Sequence, residues 1–294
     1  MNEFSGFVDL HTHGIGRCDC RAADPRTVLR MAELHGKSGT RALLVAVYPD
    51  RTAAMRDVMG AVRRAMEAQQ AAGSAYRSGT AAATILGVHL EGPFLNPSFA
   101  GALEKTAFLR PTVSALAQLL SGYEDIVRVI TLAPELPGAL KVIEKAASQG
   151  IRVNMGHSGA TFRQALEGRK AGASGISHIF NAMRPFHHRE PGLAGLGLFD
   201  QELYVEVIAD GVHLHPCTLG IIFRMKRLDR IIIVSDSVAG KRAGKAAVYA
   251  RKGLLAGSAL PLRGAAKLLQ SIGVPDAEIV EATVDNPLRY LGLR

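Results

Sequence analysis

Cysteine is scarce in this chain: Cys18, Cys20 and Cys217 are the whole supply, and none forms a C-x-x-C pair. An odd, scattered set of three offers no disulfide framework and reads as the reduced thiols of a cytoplasmic protein. Long apolar runs are missing as well. Stretches such as Ala42–Tyr48 and Ile231–Val234 are far too short to cross a bilayer, so no membrane association is expected. Only a few polar residues separate Met1 from the first apolar run, and no signal peptide is expected. Aromatic residues make up 5% of the chain and do not interleave with basic ones. The net charge of +9 therefore reads mainly as a solvated basic surface that can also draw in an anionic metabolite, not as a nucleic-acid platform. No G-x-G-x-x-G follows a strand, which excludes a dinucleotide fold. Gly240–Ala246 is one spacer short of a phosphate loop and lacks its Ser or Thr.

What the chain does have is alternation. Its 294 residues, 48% of them hydrophobic, suit a soluble globular enzyme with an ample core. Short strand-like runs occur at Phe7–His11, Ala42–Tyr48, Thr84–Leu90, Val127–Ala133, Arg152–Met155, Gly175–His178, Tyr204–Ala209 and Arg230–Ser235. Between them lie segments of helical periodicity, among them Pro25–His35, Ala53–Ala71, Thr112–Leu120, Pro137–Gln149 and Thr161–Lys170, with Leu262–Ile272 and Pro275–Tyr290 at the end. Repeated β-then-α units build either a doubly wound sheet or a (β/α)8 barrel. Eight strands favour the barrel, an α/β TIM-type fold, and no linker or repeat divides residues 1–294 into more than one domain.

The strand ends carry the chemistry. His11 and His13 sit at the first strand, two apart and so on one face. Glu91 closes the third, His157 follows the fifth, His178 ends the sixth and Asp236 follows the eighth. Each has a bland reading by itself: a surface histidine pair, a salt-bridged glutamate, a core histidine, a helix-capping aspartate. Imidazoles and carboxylates at the same end of successive strands instead predict one metal site on the rim of a barrel. His89 shares the face of Glu91 and is assigned to packing behind the site.

The order H-x-H, Glu, His, His, Asp resembles the amidohydrolase superfamily of metal-dependent hydrolases. The words around it are more specific: His89–Phe94 (HLEGPF), Leu132–Glu135 (LAPE), Gly156–Ser158 (GHS), His178–Met183 (HIFNAM), His187–Gly192 (HHREPG) and Ala209–His213 (ADGVH). Together they resemble the N-acetylglucosamine-6-phosphate deacetylase family over almost the whole chain. The resemblance implies removal of the acetyl group from an N-acetylated amino-sugar phosphate, giving glucosamine-6-phosphate and acetate. It implies one or two divalent ions, zinc or iron, held by His11, His13, Glu91, His157, His178 and Asp236. Asp236 would be the catalytic proton carrier. Backbone groups at Asn181 and Ala182, with Arg189 and His213, would bind the sugar phosphate. In this family the counterpart of Arg189 can come from a neighbouring subunit, which implies a homodimer. His187 and His188 are left as loop residues.

Two departures from the family stand out. Members carry a small β-sandwich domain built from both chain ends, and here the first strand begins almost at Met1 and the last helix runs to the end, so that domain is expected to be absent. Where members place a His or Gln after the glutamate motif, this chain has Leu103, which cannot donate a hydrogen bond. The alternatives are therefore N-acetylgalactosamine-6-phosphate or another N-acyl substrate, or a sugar-phosphate-binding barrel without turnover.

Overall fold

The computed structural model describes residues 6–73, 82–240, 246–249 and 253–294. Most of the Gly240–Ala246 segment weighed as a phosphate loop lies outside the described residues. The eight apolar runs form one sheet in chain order: β1 (Phe7–Thr12), β2 (Thr40–Val47), β3 (Thr84–Glu91), β4 (Val127–Leu132), β5 (Arg152–Met155), β6 (Gly175–Ile176), β7 (Tyr204–Ile208) and β8 (Ile231–Val234). Every neighbouring pair is parallel. The first and last strands meet through the Asp236 N–H on the His11 carbonyl at 2.8 Å and the His13 N–H on the Ser237 carbonyl at 2.8 Å. The Ser235 N–H adds a bond to the buried Asp9 carboxylate at 3.1 Å. These bonds close the barrel.

Strands covered on both faces read as unbroken apolar runs, which is why Ile231–Val234 is buried at all four positions. The surrounding helices are α1 (Pro25–Lys37), α2 (Thr52–Ala71), α3 (Val113–Leu120), α4 (Ala139–Ser148), α5 (Phe162–Lys170), α6 (Gly192–Phe199), α7 (Pro216–Met225) and α8 (Leu262–Ser271). Local signals start several of them. Asp24 accepts from the Arg26 and Thr27 N–H groups ahead of Pro25, and Thr161 with Gln164 forms a capping box for α5. One large apolar cluster joins Leu43, Val45, Val88, Leu90, Val205 and Val207 to the helices. Alternate residues such as Ala42, Leu44, Ile232 and Val234 form a second cluster with Leu288, Tyr290 and Leu291 at the chain's end.

Two expectations change, and two helices enter that were not named. The sixth strand stops at Ile176, so His178 lies beyond it. Helices α6 and α7 carry weak sequence signals. In α6 the run Gly-Leu-Ala-Gly-Leu-Gly-Leu-Phe hides its periodicity, and a Cβ at Gly197 would lie 2.8 Å from Ile176 Cδ1, so glycine lets the helix approach the sheet. The segment predicted as one helix over Pro275–Tyr290 is α-helical at Asp276–Val280, π-helical at Glu281–Asp285 and α-helical again at Asn286–Tyr290. Among the described residues no helix is long and apolar enough to cross a membrane.

Tyr290 anchors that terminal segment, its hydroxyl donating to Asn154 Oδ1 at 2.5 Å inside the barrel. Tyr290→Phe strands a buried acceptor, at an expected loss of about 1–3 kcal/mol. A urea-unfolding midpoint indistinguishable from the parent would show that the bond contributes nothing.

Candidate metal centre and active site

Glu91 ends β3 with its side chain 4% exposed, and no lysine or arginine reaches it among the described residues. Four imidazoles meet it instead. Its Oε1 lies 3.0 Å from His157 Nε2, 3.1 Å from His178 Nε2 and 3.5 Å from His11 Nε2, and its Oε2 lies 3.2 Å from His13 Nε2. Asp236 Oδ1 faces the same point, 3.6 Å from His13 Nε2 and 3.8 Å from His11 Nε2. All six residues expected at the metal site thus converge. They form two adjoining sets of donors, each close enough together to share an ion: Glu91, His157 and His178, and His11, His13 and Asp236.

The backbone is bent to achieve this. His157, His178 and Asp236 have φ of 48°, 28° and 45°, and the adjoining Phe180 and Ala182 have 74° and 50°. Non-glycine residues avoid this region, and their gathering around one centre is the pattern of a functional site. The strain is held by neighbours. Glu135 accepts from Ser158 Oγ at 2.7 Å and from the Gly159 N–H, pinning the turn after β5, while the Ser158 N–H donates to the Ala182 carbonyl at 3.1 Å.

Ring orientation is fixed as well. His157 Nδ1 donates to the Phe99 carbonyl at 3.0 Å, which leaves Nε2 as the free donor atom. His13 stacks on Tyr48 at 3.7 Å between centroids, and the Arg21 guanidinium caps the other face of that column. His11 Nε2 is buried without a hydrogen-bond partner. An orphaned imidazole nitrogen facing two carboxylates is what a divalent ion would satisfy, so these residues fit one. Burial alone would lower the His11 pKa, but the hydrogen bond of Nδ1 with Glu206 and the nearby carboxylates of Glu91 and Asp236 carry it well above the ordinary value. For Glu91, burial works upward and the four histidines outweigh it, holding the carboxyl well below the usual range. His89 is pushed down to about 4 by burial and is neutral, in keeping with its place behind the site.

Around the centre a cavity of about 280 Å3 is lined by Tyr48, Leu103, Asn181, Ala182 and His213 and roofed by Leu254–Gly257. His213 Nδ1 lies 2.7 Å from Asp210 Oδ2; burial opposes protonation there, yet the aspartate prevails and raises the pKa. Two of the expected substrate-binding groups are engaged within this chain. The Asn181 N–H donates to the His178 carbonyl at 2.9 Å. Arg189 stands on an exposed loop with Nη1 3.0 Å from His188 Nε2, and is not part of this chain's cavity wall. The sequence reading missed Glu206 and Tyr48. A lone carboxylate inside Tyr204–Ile208 was the available signal for the first; nothing in the sequence marked the second.

An eight-stranded parallel barrel with imidazoles and carboxylates at the strand ends defines a metal-dependent hydrolase of the amidohydrolase kind. No family model matches the chain. It is 32% identical to an N-acetylgalactosamine-6-phosphate deacetylase of Escherichia coli O157:H7, over 98% of this chain and 77% of that one. It is 31% identical to the N-acetylglucosamine-6-phosphate deacetylase of Bacillus subtilis (strain 168), over 98% and 75%. The structure of a Mycobacterium smegmatis N-acetyl-D-glucosamine-6-phosphate deacetylase mutant in complex with N-acetyl-D-glucosamine-6-phosphate superposes with a TM-score of 0.84 at 29% identity, covering 98% and 77%. The chain belongs to the N-acetylglucosamine-6-phosphate deacetylase family.

Glu91→Ala removes the group on which four imidazoles converge and is expected to release the bound divalent ion. Elemental analysis after dialysis checks this, and unchanged metal content in the variant would contradict it.

Proposed function

We propose that this protein hydrolyses the acetamide of N-acetylglucosamine-6-phosphate, releasing acetate and glucosamine-6-phosphate. The reading rests chiefly on one observation: Glu91 and four histidines share a centre that Asp236 Oδ1 also approaches. Glu91, His157 and His178 hold a divalent ion, and His11, His13 and Asp236 are placed to hold a second. An imidazole-rich set suits zinc or iron. When bound, such an ion supplies Lewis-acid polarisation and makes water acidic enough to attack near neutral pH.

The chain's own residues do the rest. Asp236 takes the proton from the attacking water and passes it to the amine nitrogen as the C–N bond breaks. His213, whose protonation Asp210 favours, lines the cavity as a donor to an anionic sugar phosphate. Asn181 and Ala182 line the same wall. Leu103 adds apolar surface and no hydrogen bond, so no side chain there helps polarise the carbonyl. Arg189 completes the phosphate site from a second subunit, so the working form is a homodimer; residues 1–294 act as one barrel domain, in the cytoplasm. A second substrate, N-acetylgalactosamine-6-phosphate, is favoured by the name of the Escherichia coli relative. A binding protein without turnover is disfavoured, because it would have no use for Asp236.

A panel of N-acetyl sugar phosphates assayed for free amine, with metal-loaded protein, decides among these. The proposal expects N-acetylglucosamine-6-phosphate to be turned over most efficiently. Tight binding of every panel member without any amine release would overturn it. Asp236→Asn should keep its fold and lose about 10²- to 10⁴-fold in turnover. Parent-like rates would rule out the proton-carrying role. The subunit arrangement has its own check. Arg189→Ala and Asp236→Asn, each crippled alone, should regain activity when mixed, since one site of each mixed dimer carries both native residues. No recovery would place Arg189 outside the partner's site.

A further inference from the structure

Glu206 lies in the middle of β7, and its side chain is 2% exposed. Its neighbours Val205 and Val207 pack outward on the helices, so strand alternation turns Glu206 into the barrel. There its Oε2 lies 3.1 Å from His11 Nδ1, and its Oε1 accepts from Asn154 Nδ2 at 2.9 Å. We propose that Glu206 is a positioning residue of the metal centre, fixing His11 in the tautomer that presents a free Nε2 to the ion. This rests on the reading of His11 as a metal ligand and goes beyond it, since it names the group that makes His11 one.

The chemistry follows from what each partner can offer. A carboxylate only accepts, so in the neutral ring that binds a metal the His11 proton sits on Nδ1 and the lone pair on Nε2. Nε2 is the atom left without a hydrogen-bond partner, facing Glu91 and Asp236 at 3.5 and 3.8 Å. Glu206 is itself held in place. Asn154 takes a bond from the Tyr290 hydroxyl at its Oδ1, which turns its NH2 toward Glu206 and toward Ser177 Oγ at 3.0 Å. Ser177 pairs with Thr131 at 2.7 Å, Thr131 with His89 Nε2 at 2.7 Å, and His89 Nδ1 donates to the Leu10 carbonyl at 2.9 Å. The His89 ring then lies 4.3 Å from that of His11. A hydrogen-bonded belt thus leaves β1 and returns to it, with Glu206 as the member that touches a ligand.

Two rival roles fail on the same geometry. His11, His89 and Glu206 are near enough to cage an ion of their own. Yet both His89 nitrogens are engaged with protein oxygens, and the His11 nitrogen that faces Glu206 is the protonated Nδ1, so neither imidazole turns a lone pair toward that trio. Nor does a neutral amide do as well as a carboxylate. Two donors converge on Glu206, and glutamine has one acceptor oxygen: it must turn its NH2 against Asn154 or against His11. In the second case His11 shifts its proton to Nε2 and is lost as a ligand.

The test combines metal affinity with a direct view of the proton. Zinc affinity is measured by competition with a chromophoric chelator for the parent, Glu206→Gln and His11→Ala. His11→Ala is expected to weaken zinc binding, and Glu206→Gln to weaken it by about 10- to 100-fold with far-UV circular dichroism unchanged. Weakening by His11→Ala alone would overturn the role of Glu206 while leaving the metal reading intact. No effect of either variant would instead sink the placement of His11 at the metal. Should Glu206→Gln not fold, the parent still decides: long-range ¹H–¹⁵N correlation of the zinc-loaded protein is expected to show His11 protonated at Nδ1. Protonation at Nε2 would contradict the proposal outright.

Discussion

A carboxylate buried among imidazoles, with no lysine or arginine among the described residues to neutralise it, is the constraint around which the barrel is organised. Burying Glu91 is costly unless positive charge meets it. The barrel interior meets it with His11, His13, His157 and His178, groups that bind either protons or a divalent ion. The same pocket adds Asp236 and, behind His11, Glu206. So much negative charge in one dry enclosure makes a cation part of the architecture. The strained φ values at His157, His178 and Asp236 belong to the same logic, because unstrained backbone would carry those side chains past the common centre.

What holds the arrangement is not only the apolar core. The large cluster between strands and helices sets where the strand ends lie. The belt running through Glu206, Asn154, Ser177, Thr131 and His89 sets how the rings beneath the rim are turned. A fully satisfied polar network in a low-dielectric interior is rigid, whereas a broken one leaves buried donors stranded. Tyr290 ties this network to the last helix, so the end of the chain takes part in ordering its first histidine.

Much of this was legible in the sequence. Buried parallel strands must be apolar on both faces, and runs such as Ile231–Val234 show it directly, so all eight were found. The six converging residues stood out because polar donors right after such runs have few other reasons to be there. Helix α6 was obscured by glycines that serve close packing and carry no hydrophobic signature. The sixth strand was drawn too long because Ser177 and His178 continue its direction in sequence while the backbone turns away at a positive φ. Hydrogen-bond commitments are invisible in one dimension: nothing showed that the Asn181 N–H is taken by His178, or that Arg189 stands clear of its own chain's cavity. Glu206 was visible only as an oddity, one carboxylate in an apolar strand, because its meaning lies in a residue 195 positions away.

The central claim is that these distant side chains surround one cation, and anomalous diffraction tests it most directly. Crystals of the zinc-loaded protein, measured on either side of the zinc absorption edge, are predicted to show a peak about 2.0–2.2 Å from Glu91 oxygen and from the Nε2 atoms of His157 and His178. A peak confined to surface residues, or none in this pocket at full loading, would contradict the account.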